Sequence, residues 1–140
     1  MSGVRKRGNP KEQAKLFLKA AQFGEYLTKL RTEQEQSLSF VGKKIGVSSN
    51  YLSEIERGLK TPSDEVLREL AKYYDIPEHE IFDKIGRVPL QAREELEENE
   101  MLQRTLVQIR KKNLSEDKKQ KLYEEVYRIY TRLYEEGEPE

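Results

Sequence analysis

The feature that most constrains the fold is a pair of short helix-like stretches around a glycine, in the segment "IGVSSNYLSEIERGLKTP" at residues 45–62. Gly46 is typical of a helix end because glycine accepts a positive φ without a Cβ clash. Ser48 is typical of the N-cap of the next helix, and Gly58 is placed to end it. Helices this short are marginal alone in water, so the segment must pack against further helices.

Helical signals continue along the rest of the chain. Asn9 followed by Pro10 predicts an N-cap and a first-turn proline, and it opens a long helix that Gly24 could bend. No segment shows sustained period-two alternation, so we expect no sheet and an all-α fold. After the long helix, the predicted helices cover residues 38–45, 49–57 and 64–73, the segment "DIPEHEIF", and roughly 90–112 and 116–135.

Composition removes several classes of function. The 140 residues include no cysteine, which excludes disulfides, cysteine-based zinc sites and thiol catalysis. His79 is the only histidine, so no histidine-cluster metal site is expected. No glycine-rich phosphate loop or nucleophile elbow is present, so we predict no enzyme activity and no cofactor. No apolar run approaches the ~20 residues that span a bilayer, and a soluble, cytoplasmic protein without a membrane partner is expected.

Charge is unevenly distributed although the net charge is zero. Residues 1–20 carry six Lys or Arg against one acid, a net of +5, whereas residues 21–83 have a net of −4 and residues 84–140 a net of −1. Residues 1–9 are predicted to be a flexible basic arm. Such an arm is either a solubilising tail or a contact to phosphates or a minor groove.

The two short helices have the layout of a helix-turn-helix. The first buries Val41 and Ile45, and the second buries Leu52 and Ile55. The remaining face of the second helix carries small polar side chains, which allow close approach to a major groove. Asn50 can pair with adenine and Glu54 can accept from cytosine. The exposed set is Ser49, Asn50, Tyr51, Ser53 and Glu54.

Residues 23–82, above all "IGVSSNYLSEIERGLKTPS" followed by "VLRELAKYYDIP", resemble the Cro/repressor-type helix-turn-helix domain of the Xre family. The resemblance implies a five-helix DNA-binding domain. It implies base and phosphate contacts in the recognition helix, phosphate contacts at the start of the preceding helix, and backbone contacts in the loop that follows. The residues at those positions are Ser48, Ser49, Asn50, Tyr51 and Ser53; Ser37 and Ser39; and Arg57, Lys60 and Thr61.

The resemblance also implies a structural ion pair between Arg31 and Glu56, which would tie the first helix to the recognition helix. Two positions depart from the family pattern. Gly42 replaces the usual alanine and is expected to loosen its helix slightly. Leu38 stands where a polar contact is common, which removes the basis for a DNA contact there.

The two C-terminal helices carry apolar and aromatic stripes but only about two helices' worth of core, which is too little to be stable alone. We therefore expect them to pack against a second copy; packing on the DNA-binding domain is the alternative. The tyrosines suit packing or a dimer interface better than stacking on nucleotides. The predicted dimerisation residues are Leu102, Leu106, Ile109, Leu122, Val126, Tyr127, Ile129, Tyr130 and Leu133.

The sequence thus predicts a basic arm (1–9), a helix-turn-helix domain (10–83), a linker (84–89) and a helical dimerisation segment (90–136). The predicted function is a bacterial or phage-encoded transcriptional regulator, by default a repressor. It would bind an inverted repeat in double-stranded DNA as a homodimer or higher oligomer. Control is expected to act either through a regulatory protein partner or through the oligomerisation helices. Two alternatives stay open: an antitoxin-like protein whose C-terminal helices bind another protein, and an interaction module without DNA binding.

Overall fold

The computed structural model describes residues 9–137, and residues 1–8 of the predicted arm lie outside that range. The described residues are all-helical, as predicted, and contain no strand. They divide into two units, with the boundary between Glu94 and Glu95. The helices are α1 (Pro10–Glu33), α2 (Leu38–Ile45), α3 (Ser49–Glu56), α4 (Asp64–Tyr73), α5 (Glu78–Lys84), α6 (Leu90–Glu98), α7 (Glu100–Lys111) and α8 (Glu116–Gly137).

Helices α1 to α5 enclose one apolar core. Phe23 and Leu27 of α1 meet the buried apolar residues of α2 to α5 there, and the side chain of Phe82 is completely buried. The caps follow the sequence signals, because Asn9, Ser37, Ser48 and Ser63 each accept a hydrogen bond from the backbone N–H three residues later. The short helices are therefore fixed at their amino ends as well as by packing.

Gly24 does not break α1, which runs unbroken for 24 residues. Its role is close approach, since a Cβ at this position would lie 2.6 Å from the carbonyl oxygen of Ile55. The absence of a side chain lets α1 and α3 pack backbone to backbone.

The predicted linker 84–89 is packed against the first unit. Ile85 is buried in the core, and the Arg87 guanidinium donates to the carbonyl oxygen of Pro62 at 2.6 Å. Asp64 accepts from Arg93 at 2.5 Å and from Arg87 at 3.3 Å. These contacts extend the first unit through the start of α6, to the boundary after Glu94.

The predicted helix at 90–112 is two helices. It is interrupted at Asn99, whose side chain accepts from the Leu102 N–H at 2.8 Å and so caps α7. The residues of the second unit from Glu95 to Glu136 include no buried side chain.

Candidate nucleic-acid interface

Helix α3 is held at both ends. The Ser48 hydroxyl accepts from the Tyr51 N–H at 3.0 Å. At the other end Gly58 has φ +74°, and the Leu59 N–H donates to the carbonyl oxygen of Glu54 at 2.8 Å. Leu52 and Ile55 are buried against the core, so the orientation of the helix about its axis is fixed and one side of it faces outward.

Four polar residues form that outward side. Asn50, Ser53, Glu54 and Arg57 recur at the i, i+3, i+4, i+7 spacing that places side chains on one helical face. The Arg57 Nε donates to the Ser53 hydroxyl at 3.2 Å. No hydrogen bond within residues 9–137 engages the Asn50 amide, which leaves its donor and acceptor available to an external group.

Glu54 and Tyr51 are both associated with Lys60. The Lys60 ammonium lies 2.8 Å from a Glu54 carboxylate oxygen and 5.9 Å from the centre of the Tyr51 ring. The hydrogen bond to Glu54 raises the pKa of Lys60. Tyr51 is partly buried against the core, so it borders the outward side of α3 and does not extend from its centre.

The amino ends of α2 and α3 supply polar groups of a second kind. Ser37 and Ser48 are exposed N-caps, and Ser39 and Ser49 lie exposed in the first turns. The free N–H groups and the positive dipole of a helix amino end favour an anion. Thr61, in the loop after α3, is also exposed. The structure therefore places all the predicted contact residues on α2, α3 and the loop after α3.

The Arg31–Glu56 pair has the geometry of a structural tie. Arg31 Nε and Nη2 donate to the two Glu56 oxygens at 2.8 and 2.9 Å, and Nη1 donates to the carbonyl oxygen of Gln36 at 2.8 Å. Thr28 also donates to Glu56, at 3.0 Å. The two charged side chains are only 16% and 6% exposed. Helix α1, helix α3 and the loop before α2 are thereby fixed together.

The buried carboxylate also affects a neighbouring tyrosine. Burial, and after it the charge of Glu56, raise the pKa of Tyr74 to about 12. Tyr74 therefore remains protonated over the physiological range.

The structure corrects the expectation for Gly42. A Cβ at this buried position would lie 2.7 Å from the carbonyl oxygen of Val47, so glycine allows the turn between α2 and α3 to close tightly. Leu38 packs against the core, which accounts for an apolar side chain where the family pattern is polar.

Sequence reasoning missed the cations of α2. Lys43 lies one helical turn after Ser39 on the same exposed side. Lys44 lies 5.4 Å from the centre of the Phe40 ring, and that phenylalanine is 46% exposed. The i, i+4 spacing of Ser39 with Lys43 and of Phe40 with Lys44 could be recognised in the sequence. The net negative charge of residues 21–83 drew attention away from these two local positive charges.

The predicted dimerisation residues lie on α7 and α8, and all remain at least partly accessible. On α8, two leucines, one valine and one isoleucine recur at spacings of four, three and four, beside a tyrosine stripe. The Tyr127 and Tyr130 rings are 6.3 Å apart, centre to centre. Exposed apolar surface of this extent is typical of sites of protein interaction.

Residues 9–137 have neither a cluster of potential metal ligands nor a membrane-spanning helix. No group of three or more His, Cys, Asp or Glu in this range could hold a metal ion. No helix there is long and apolar enough to cross a membrane.

Residues 22–81 match the family model described as a helix-turn-helix domain. This match supports the predicted resemblance to helix-turn-helix regulators of the Xre type. The two short capped helices, the turn at Gly46 and the buried Arg31–Glu56 pair all lie within the matched range.

Three regulators are similar to the same part of the chain. The HTH-type transcriptional regulator SinR of Bacillus subtilis is 37% identical over 62 residues, which cover 44% of this chain and 56% of SinR. SinR of Bacillus licheniformis is 36% identical over 62 residues, with the same coverage. An uncharacterized HTH-type transcriptional regulator of Mycobacterium tuberculosis is 32% identical over 63 residues, 45% of each chain. The chain thus spans about half the length of these relatives.

Proposed function

We propose that the protein is a DNA-binding transcriptional regulator that reads a sequence in the major groove with α3. The observation that carries this proposal is the outward stripe of Asn50, Ser53, Glu54 and Arg57 on a helix fixed at both ends. A rigid helix with short polar side chains suits the major groove, where each base pair presents its own donor and acceptor pattern.

Within this stripe, Asn50 is the proposed base reader. Its amide can pair bidentately with adenine, and no internal hydrogen bond competes for it among residues 9–137. The amino ends of α2 and α3, together with Arg57, Lys60 and Thr61, would contact phosphates and set the register of the helix. Glu54 would be positioned by Lys60, and this pairing reduces its repulsion of nearby phosphates.

Selection of bound sites from random duplex DNA tests this proposal. The wild type should enrich one motif, and Asn50→Ala should lose preference at one position of each half-site, at a cost of about 1–3 kcal/mol against that base. Gln22→Ala, which removes an exposed amide from α1, is the matched control and should leave the motif unchanged. No enriched motif for the wild type would contradict sequence reading.

The salt dependence of DNA affinity distinguishes a DNA-binding regulator from an interaction module that does not bind DNA. Phosphate contacts release counterions, so affinity should fall steeply as salt rises. Lys60→Gln should reduce the slope of log K against log salt by roughly one unit. Binding that is weak and insensitive to salt would favour an interaction module.

We further propose that the protein binds as a homodimer joined through α7 and α8. No side chain from residue 95 to residue 136 is buried, although both helices carry apolar stripes. A second copy would cover these stripes and present two α3 helices to half-sites one helical turn, ~34 Å, apart. An inverted repeat in the selected motif supports this arrangement, and a single half-site contradicts it.

Repression is the proposed regulatory outcome, since an occupied site over a promoter excludes polymerase. Transcription in vitro from a promoter that overlaps the selected site should fall as protein is added. Increased transcription would identify an activator.

A second candidate function is an antitoxin-like protein that uses the same DNA-binding domain. The exposed tyrosine stripe of α8 favours it, because tyrosine is enriched at protein interfaces. If purified protein stays monomeric and a product of an adjacent gene binds α8, this candidate replaces the homodimer.

A further inference from the structure

Charge divides the second unit along its sequence. Residues 110–121 contain the end of α7, the connection and the start of α8, and they carry six Lys or Arg against two acids, a net of +4. Residues 95–100, before and at the start of α7, contain four acids and no base, a net of −4. Residues 129–140 contain four acids and one base, a net of −3. The junction of α7 and α8 is therefore basic, whereas the far ends of both helices are acidic.

The helix dipole explains the charge at the end of α7 but not the charge at the end of α8. Arg110 and Lys111 lie in the last turn of α7, where the negative end of the dipole favours cations. The last turn of α8 has no basic residue. It has Glu135 and Glu136 instead, and their charges oppose the dipole. A cation from outside α8 would offset this repulsion.

Two opposite charges border the apolar stripe of α8. This leucine stripe consists of four exposed residues, Leu122, Val126, Ile129 and Leu133. Lys118 and Glu136 are 18 residues, or five helical turns, apart, so they lie on the same side of α8 at a separation of about 27 Å. Both lie at the border of the leucine stripe that is away from the tyrosines. Within residues 9–137, neither charge is in an ion pair.

We propose that α8 packs along its leucine stripe against α8 of a second copy, in the antiparallel direction. The proposal rests on the homodimer proposed above and specifies its arrangement. Lys118 of each copy would face the partner's Glu136, and the basic junction of each copy would lie beside the acidic end of the other α8. A parallel pair would place like charges together at both ends, which disfavours that orientation.

The positions of the two charges also fit the symmetry of a homodimer. A two-fold axis makes each contact twice, so a contact between Lys118 and the partner's Glu136 at one end implies the same contact at the other end. The midpoint between residues 118 and 136 is Tyr127. The leucine stripe, which extends from residue 122 to residue 133, is centred at the same level. One axis near Tyr127 would therefore align both the apolar surfaces and the charges.

Cross-linking determines the orientation without DNA, and the chain suits this experiment because its 140 residues include no cysteine. Full chains with Lys118→Cys or Glu136→Cys are prepared separately and treated with a bis-maleimide linker much shorter than the ~27 Å between the two positions. Neither variant alone should form a covalent dimer, and an equimolar mixture of the two should form one. A mixture of Lys118→Cys with Glu124→Cys is the matched control and should not cross-link, since Glu124 lies on the opposite side of α8.

Charge reversal tests the same contact by the affinity of the dimer, measured by ultracentrifugation over a dilution series. Lys118→Glu and Glu136→Lys should each raise the dimer Kd roughly tenfold, because each creates two contacts between like charges. The double variant restores opposite charges and should return the Kd to within roughly threefold of the wild type. Glu135→Lys, on the opposite side of α8, should leave the Kd unchanged.

Three results would overturn the antiparallel arrangement. One is a covalent dimer formed by Lys118→Cys or Glu136→Cys alone, which would show a parallel pair. Another is a wild type that is dimeric although the mixture of these two variants does not cross-link, which would locate the dimer contact elsewhere. The third is a double charge variant that dimerises no better than the single variants, since a loss without recovery would not come from this pair of charges.

The arrangement and the proposed function can fail separately. A parallel dimer that selects an inverted repeat would reject the antiparallel arrangement and leave the regulator function intact. An antiparallel dimer that enriches no DNA motif would support the arrangement and remove the regulator function. A wild type that is monomeric throughout the dilution series would overturn both the homodimer and its arrangement, whereas DNA reading by α3 would still be decided by the selection of bound sites.

Discussion

The core of the helix-turn-helix unit contains twelve buried residues, whereas α7 and α8 leave comparable stripes of leucine, isoleucine, valine and tyrosine exposed. Both regions contain amphipathic helices, and a side chain caps α3 in the first unit and α7 in the second. The difference lies in the number of helices that pack together. Five helices share a core in the first unit, whereas α7 and α8 are only two. Helical periodicity alone therefore indicates which face of a helix is apolar, and the surroundings determine whether that face is covered.

The largest expected effect is a core deletion in the first unit. Phe82→Ala removes a completely buried ring and should lower the free energy of unfolding by about 3–5 kcal/mol. Val126→Ala, in the exposed stripe of α8, should change the unfolding of the first unit by less than ~0.5 kcal/mol. Urea denaturation followed by circular dichroism measures both, and similar losses would contradict the contrast between the two regions.

The next effect is loss of the ion pair that fixes α3 to α1. Glu56→Gln leaves the Arg31 guanidinium buried without a charged partner and should cost about 3 kcal/mol. Glu124→Gln, which removes an exposed carboxylate near Arg128 on α8, should cost less than ~1 kcal/mol. Equal losses in urea denaturation would mean that burial of the Arg31–Glu56 pair does not determine its contribution.

Two glycines should respond to alanine for different reasons. Gly24→Ala drives a Cβ toward the carbonyl oxygen of Ile55 and should cost about 1–3 kcal/mol through overpacking. Gly46→Ala meets no atom within 4 Å but must adopt φ +82°, at a cost of roughly 1–2 kcal/mol. Thermal unfolding gives both values, and a crystal structure of Gly24→Ala should show α1 displaced from α3.

The smallest expected effect is the contribution of Asp64 to the loss of stability at low pH. The hydrogen bond from Arg93, followed by Arg87, lowers the pKa of Asp64 in the folded state. The carboxylate therefore contributes stability above its ordinary pKa of about 4, and this contribution is lost as the pH falls through the lowered value. Asp64→Asn should reduce the loss of stability between pH 7 and pH 3 by about 1 kcal/mol or less, measured by denaturation at both pH values.

Local signals predicted much of the first unit. The serine caps, the glycine turn at Gly46 and the spacing of Val41, Ile45, Leu52 and Ile55 depend on neighbouring residues only, so the sequence displays them directly. The sequence did not predict that Ile85 is part of the core, because "KIGRVP" has the composition of a loop. Arg87 of this segment contacts Pro62 and Asp64, which are distant in sequence, so the packing of the segment could not be predicted from neighbouring residues.

The close approach of backbone segments that are distant in sequence could not be predicted for the same reason. The sequence predicted that Gly24 and Gly42 would weaken their helices. Each glycine in fact lies where its own Cβ, if present, would clash with a carbonyl oxygen of another segment. In the candidate site, the contact residues were predicted from a family pattern, whereas the pairing of Glu54 with Lys60 required coordinates.

The most direct test of the contrast between the two regions is the mass of the protein in solution, free and bound to the selected duplex, by analytical ultracentrifugation. The predicted result is a dimer of the 16.5 kDa chain in both states. Ile129→Lys in the α8 stripe should give a folded monomer, and Glu135→Lys on the opposite side of α8 should remain dimeric. A wild type that is monomeric when free and binds one copy per duplex would contradict the account.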